Sequence, residues 1–148
     1  MVSVVSEETM DVEAQIEALN AALRLQSRSA LQYTLAAGSM FGFEFQGLAG
    51  SLSRFAAAEL EDARHLVEKI VALGGEPTSD VASPKYVKEP REAVAWLIES
   101  EGETLQTLQD AIELTGREAA SEAIEHRLEH MIMRKQEQVD LLLRASRE

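Results

Sequence analysis

The chain contains no cysteine among its 148 residues. That excludes disulfides, thiolate metal sites, iron–sulfur clusters and cysteine nucleophiles, and it fits a reducing compartment. Proline is almost as scarce. Pro77, Pro84 and Pro90 all fall in one short segment, so the rest of the chain is free of the strongest helix breaker. No apolar run approaches the ~18 residues of a membrane span. The opening MVSVVSEETM lacks the basic flank and apolar stretch of a signal peptide. Positive charge is short as well: 14 Lys and Arg face 26 Asp and Glu, a net charge of −12. This argues against nucleic acid and anionic membrane as partners, since both select a basic face. What is abundant is Ala, Leu, Glu, Gln and Arg, and 45% of the residues are hydrophobic, ample for the core of one domain. The expectation is a single soluble, acidic, cytoplasmic domain over residues 1–148.

Glycine and proline divide the chain into four helical segments. Helix A is predicted over about residues 10–37, followed by Gly38 and Gly42. Helix B is predicted over 48–73, stopped by Gly74-Gly75 and Pro77. Helix C covers 90–115, opened by Pro90 as a first-turn proline, and helix D covers 118–146. Short linkers join A to B and C to D, which suits antiparallel neighbours. The B–C linker, Gly74 to Glu89, has 16 residues and at ~3.3–3.6 Å per residue can span a whole bundle. A linker that long is uncommon unless it has distance to cover. The expected fold is all-α: an up-down-down-up four-helix bundle with a long B–C crossover and no fifth helix. The competing arrangement is up-down-up-down with a loose loop.

A bundle helix repeats apolar residues at alternating three- and four-residue steps. Helix A gives Ile16, Leu19, Leu23, Gln26, Ala30, Tyr33 and Ala37. Helix B gives Leu52, Phe55, Glu59, Asp62, Leu66, Ile70 and Leu73. Helix C gives Val94, Leu97, Glu101, Leu105, Leu108 and Ile112, and helix D gives Ile124, Leu128, Met131, Lys135, Gln138, Leu142 and Ala145. Each stripe is broken near its middle by polar residues: Gln26, then Glu59 and Asp62, then Glu101, then Lys135 and Gln138. At comparable depth these form one central polar layer, which buries ionised groups and is costly unless they are paired or bind a metal. The competing reading leaves some of them solvated on a helix flank.

The one-two-one-two pattern resembles di-iron carboxylate bundles, in which two helices each give a Glu and the other two each give a Glu-x-x-His. Further matching pieces are Leu31-Gln32-Tyr33, Glu59 followed by LVEKIVALGGEP, Glu101 with TLQDAI, and QVDLLL near the end. Together they resemble the bacterioferritin branch of the ferritin-like superfamily across all four helices. The resemblance places the family's helix A glutamate on Gln26, its helix B pair on Glu59 and Asp62, and its helix C glutamate on Glu101. Its helix D pair falls on Lys135 and Gln138, with Lys135 at the bridging position. Only Glu59 and Glu101 keep the family residue. The tyrosine near the family's iron site corresponds to Tyr33. The methionine that ligates haem falls on Leu60, so haem is not expected.

A protonated lysine has three donors and no lone pair. Lys135 is therefore expected to bond Glu59 and Glu101 across the bundle, with Gln26 and Gln138 donating to the same carboxylates and no metal or other cofactor bound. Charge remains unbalanced, at three acids against one base, which calls for a protonated carboxyl, solvent at Asp62 or a further cation. The alternative is one divalent ion (Fe, Mn or Zn) on Glu59, Asp62 and Glu101, with His65 as a further candidate ligand. His126 and His130 share a face of helix D and read as solvated, and Met131 and Met133 read as packing.

A second apolar row on helix B (Ala56, Leu60, Ala63, Val67, Val71) joins Leu31 and Leu35 of helix A as a homodimer face. The resemblance agrees, because bacterioferritin-like subunits pair through these helices. No residues remain after helix D for the family's fifth helix, so a large cage is not expected. The leading functional expectation is a non-catalytic dimeric structural or binding protein, and nothing in the sequence names its ligand or protein partner. The competitors are an iron-binding oxidoreductase or storage protein, and a small-molecule binder using the core beside Tyr33 and Trp96.

Overall fold

The computed structural model describes residues 9–147. Four long helices make up the fold: α1 (Val12–Ser39), α2 (Gln46–Ala72), α3 (Pro90–Ile112) and α4 (Ala119–Ser146), with a single 3-10 turn at Phe43–Phe45 before α2. The ends differ from the sequence reading by a few residues, for local reasons. Asp11 caps α1, its side chain accepting from the Ala14 N–H at 3.2 Å, so the helix starts at Val12 and not at Met10. Glu89 caps α3 by accepting from the Glu92 N–H at 2.8 Å, with Pro90 in the first turn where its missing N–H costs nothing. At the far end α3 stops at Ile112, before the expected Thr115, and the chain turns through Thr115 and Gly116 into α4.

The exit from α2 is a Schellman turn. Gly74 adopts φ 85°, the Gly75 N–H bonds to the Ile70 carbonyl and the Gly74 N–H to the Val71 carbonyl, both at 2.9 Å. Gly75 then passes so close to α1 that a Cβ there would sit 2.7 Å from Ile16 Cγ2. These two glycines turn the chain back along the bundle.

The segment from 76 to 89 has no regular structure, yet it is fastened to α1 along its length. Asn20 donates to the Glu76 carbonyl at 3.0 Å and accepts from the Thr78 N–H at 2.8 Å. The Ala82 N–H reaches the Arg24 carbonyl at 3.2 Å. Gln32 donates to the Lys85 carbonyl at 2.9 Å and accepts from the Lys85 N–H. Residue numbers rise together on the two segments, so the crossover runs parallel to α1 and delivers α3 to the opposite end. The bundle is thus up-down-down-up, and the loose-loop alternative fails.

Two apolar clusters fill the bundle. One, around Leu19, Leu66, Leu108 and Met131, lies toward the α1 start. The other, around Tyr33, Leu52, Leu97 and Leu142, lies toward the α1–α2 turn. Between them sits the polar layer. Among the described residues, no helix is long and apolar enough to cross a membrane.

Candidate functional site: a central ion-pair layer

Each helix contributes two polar residues three apart, so both project from one face. They are Gln26 and Ser29 on α1, Glu59 and Asp62 on α2, Glu101 and Thr104 on α3, and Lys135 and Gln138 on α4. All eight are buried, with Gln26, Glu59, Thr104 and Lys135 at 0% exposure.

Lys135 Nζ is the hub. It donates to Glu59 Oε2 and, at 2.9 Å, to Glu101 Oε2. Glu59 is saturated. Its Oε2 also accepts from Gln26 Nε2 at 2.5 Å, and its Oε1 accepts from Gln138 Nε2 at 2.8 Å and from Arg134 Nη2 at 3.0 Å. Four donors meet the four lone-pair sites of one carboxylate. Glu101 receives three: Lys135, the Ser29 hydroxyl at 2.6 Å on Oε1 and the Tyr33 hydroxyl at 3.1 Å on Oε2. Tyr33 in turn accepts from Gln138 Nε2 at 3.4 Å.

Arg134 closes the layer toward solvent. Its side chain is 24% exposed. It pairs with Asp62 through Nε at 3.0 Å and through Nη2, and it donates to Gln138 Oε1. It is the further cation that the charge imbalance called for: two bases now face three acids. Sequence reasoning missed it because α4 carries several basic residues, and only the helix rotation shows which one turns inward. Ser29 and Thr104 were also missed, although the i, i+3 spacing from Gln26 and Glu101 was a usable signal. On α3 the sequence stripe gave Leu105, whereas Thr104 is the buried residue and Leu105 is only half-buried.

The electrostatics follow from this wiring. Burial works to raise the Glu59 carboxyl, but the Lys135 ammonium and Arg134 guanidinium outweigh it and hold the group below the usual carboxylate range. Glu101 has only Lys135 as a cationic partner and faces the Glu59 charge, so burial prevails and pushes it above that range. Burial disfavours the Lys135 ammonium, yet Glu101 and Glu59 together more than restore it. Tyr33 is pushed far above its ordinary value of 10.0 by burial and by the two glutamates, so its hydroxyl stays a donor.

The other sequence candidates lie elsewhere. His65 does not join Asp62. Its ring faces Glu68 at 3.3 Å and Glu61 at 3.6 Å on the outside of α2. His126 is 77% exposed beside Glu122 and Glu129, and His130 is exposed. Met131 packs in the core, but Met133 faces solvent. Trp96 is half-buried between Arg28 and Lys85. On the expected dimer face, Leu31, Leu35, Leu60 and Val71 are exposed, whereas Ala63 belongs to the chain's own core and Ala56 and Val67 are half-buried against it. The second helical row thus divides, part of it widening the core. Among the described residues, no group of three or more His, Cys, Asp and Glu is arranged to hold a metal ion.

Residues 16–144 match the family described as the ferritin-like domain. This chain belongs to that family. The ferritin-like chain superposes on a ferritin-like, diiron-carboxylate protein from Bacillus anthracis str. Ames with a TM-score of 0.84 at 28% identity, covering 93% of this chain and 98% of that one. It also superposes on the bacterioferritin of Rhodobacter capsulatus, a structure with a metal-free dinuclear site and haem iron, with a TM-score of 0.81 at 21% identity. That comparison covers 90% of this chain and 84% of the other and speaks to the fold. No curated protein matches.

Proposed function

We propose that this ferritin-like chain is a non-catalytic protein, structural or binding in role, in which a lysine-centred ion-pair layer stands in place of a dinuclear metal centre. The observation that carries the reading is Lys135 Nζ donating to Glu59 and Glu101 at once. Two iron ions bridged by carboxylates need free carboxylate lone pairs, and an ammonium among them repels both ions. Every lone-pair site of Glu59 already has a donor, and three donors occupy Glu101. The donor set does not fit a dinuclear iron centre, and no step through iron is derived for it. A single divalent ion on Glu59, Asp62 and Glu101 fits poorly for the same reason, since Lys135 and Arg134 hold those oxygens. His65 is turned away toward Glu61 and Glu68. Leu60 offers no sulfur to haem. The Bacillus anthracis relative is described as a diiron-carboxylate protein; this chain is proposed to keep its fold without that chemistry.

The test is aerobic Fe(II) oxidation followed by metal analysis after free iron is removed. The expected result is oxidation at the buffer rate and well under one iron per chain. Oxidation above the buffer rate, or two irons retained per chain, overturns the reading. The proposed working unit is a two-fold dimer through α1 and α2, supported by the exposed Leu31, Leu35, Leu60 and Val71 on those helices.

A further inference from the structure

Two of the chain's three histidines, His126 and His130, stand one turn apart on the outer face of α4, away from the central layer. Residues four apart on a helix are surface neighbours, with Cβ atoms about 5–6 Å apart, and so are residues three apart. Glu129 is therefore beside both histidines, and residues 126–130 read H-x-x-E-H. His126 is 77% exposed and stands between two carboxylates. Its Nδ1 is 3.8 Å from Glu129 Oε1 and its Nε2 is 3.8 Å from Glu122 Oε2. Both separations are too long for a hydrogen bond. They are close to the spacing of two ligands on one tetrahedral zinc, about 3.3–3.4 Å for bonds of about 2.0–2.1 Å. His130 is exposed as well. The adjacent base, Arg127, is on the α2 side of the helix, within electrostatic reach of Glu61.

Two neutral imidazoles at i and i+4 of a helix converge on one metal ion, as in the zinc helices built on H-E-x-x-H and H-x-x-E-H. In the rotamers observed, the side chains are not gathered round one point. Exposed side chains change rotamer within nanoseconds, so gathering these three costs little against the metal–ligand bonds gained. The rings bring no charge to a divalent ion; Glu129 supplies one negative charge as a ligand and Glu122 another beside it. Two histidines and a glutamate form a known zinc set, with water in the fourth position. We propose that the outer face of α4 is a binding site for one divalent ion of the zinc class, with His126, Glu129 and His130 as its ligands. Open helix surface offers no wall to hold a substrate, so the activity proposed is metal binding and not hydrolysis. Fe(II) stands near the bottom of the affinity order for nitrogen and oxygen donors, so this face keeps no iron once free iron is removed. The site is independent of the central layer.

Calorimetric titration of the full chain with zinc chloride, near neutral pH in a non-chelating buffer, should show saturable binding of one zinc per chain. Light scattering should show no change of mass on loading. His126→Ala and His130→Ala should each weaken zinc affinity at least about tenfold, since loss of even an outer-shell partner of a metal ligand costs about 10–100-fold. Both are exposed helix positions where alanine is favourable, so the circular dichroism should be unchanged. Glu129→Gln should also weaken binding, whereas His65→Ala, on α2, should leave it as it is. Crystals soaked in zinc should give an anomalous peak about 2.0–2.1 Å from one nitrogen of each ring. Four results overturn the proposal: no saturable binding, unchanged affinity in His126→Ala or His130→Ala, zinc lost in His65→Ala, or one zinc shared between two chains.

Discussion

Replacing Lys135 with methionine tests the central layer most directly. Methionine keeps an unbranched chain one atom shorter than lysine and removes its charge. Glu59 retains Gln26, Gln138 and Arg134, whereas Glu101 is left with the Ser29 and Tyr33 hydroxyls and no cation. Removing one partner from a buried ion pair typically costs about 3–5 kcal/mol. Proton uptake by Glu101 caps that cost. Holding a proton on a carboxyl whose unfolded value is 4.5 costs about 1.4 kcal/mol for each pH unit above it. The cap is therefore about 5 kcal/mol at pH 8 and about 1.4 kcal/mol at pH 5.5. Lys135→Met should lose about 3–5 kcal/mol at pH 8, equivalent to about 6–20 °C in Tm for a chain of this size, and markedly less at pH 5.5. Adding Glu101→Gln removes the stranded charge and should restore most of the loss at pH 8. The assay is urea unfolding followed by circular dichroism at one fixed protein concentration, because the proposed dimer would make stability concentration-dependent. A loss below about 1 kcal/mol at pH 8, or no rescue by Glu101→Gln, refutes the reasoning.

Other outcomes follow from the same structure. Above pH 10 two groups in the layer resist deprotonation in the fold while ionising in the unfolded chain: Tyr33 and Lys135, both raised. Their contribution is complete below the unfolded values of 10.0 and 10.5 and is lost as pH climbs beyond them, at up to about 1.4 kcal/mol per pH unit for each group. Tyr33→Phe should flatten the alkaline slope of unfolding free energy by one proton, and an unchanged slope would count against a buried neutral Tyr33. Lys135→Glu with Gln138→His returns two ligand types to the layer; calorimetric Fe(II) titration should show binding that the parent lacks. Gly75→Ala should cost about 1–3 kcal/mol through overlap with Ile16. Gly102→Ala, in an open helical position, should gain up to about 1 kcal/mol, so thermal melts of the pair should move in opposite directions. Leu60→Glu puts a charge into the proposed dimer face, and light scattering should then report a monomer while circular dichroism is retained.

Much of this architecture is written in local chemistry. Helix-forming composition, three clustered prolines and a long B–C linker set four helices and the crossover, because breakers and reach are properties of short segments. The three- and four-residue steps located Gln26, Glu59, Glu101, Lys135 and Gln138 at one depth, since side chains recurring at that spacing share a helix face. Which flank residues turn inward is a matter of helix rotation, which packing against three neighbours sets. Arg134 was therefore invisible among the basic residues of α4, and Ala63 read as surface although it lies in the core. The sequence by itself determined the fold, the family and the presence of a lysine among buried acids. Only the tertiary structure decided that Arg134 supplies the second cation and that Glu59 is saturated while Glu101 is not, because those facts depend on distances between side chains about 75 residues apart.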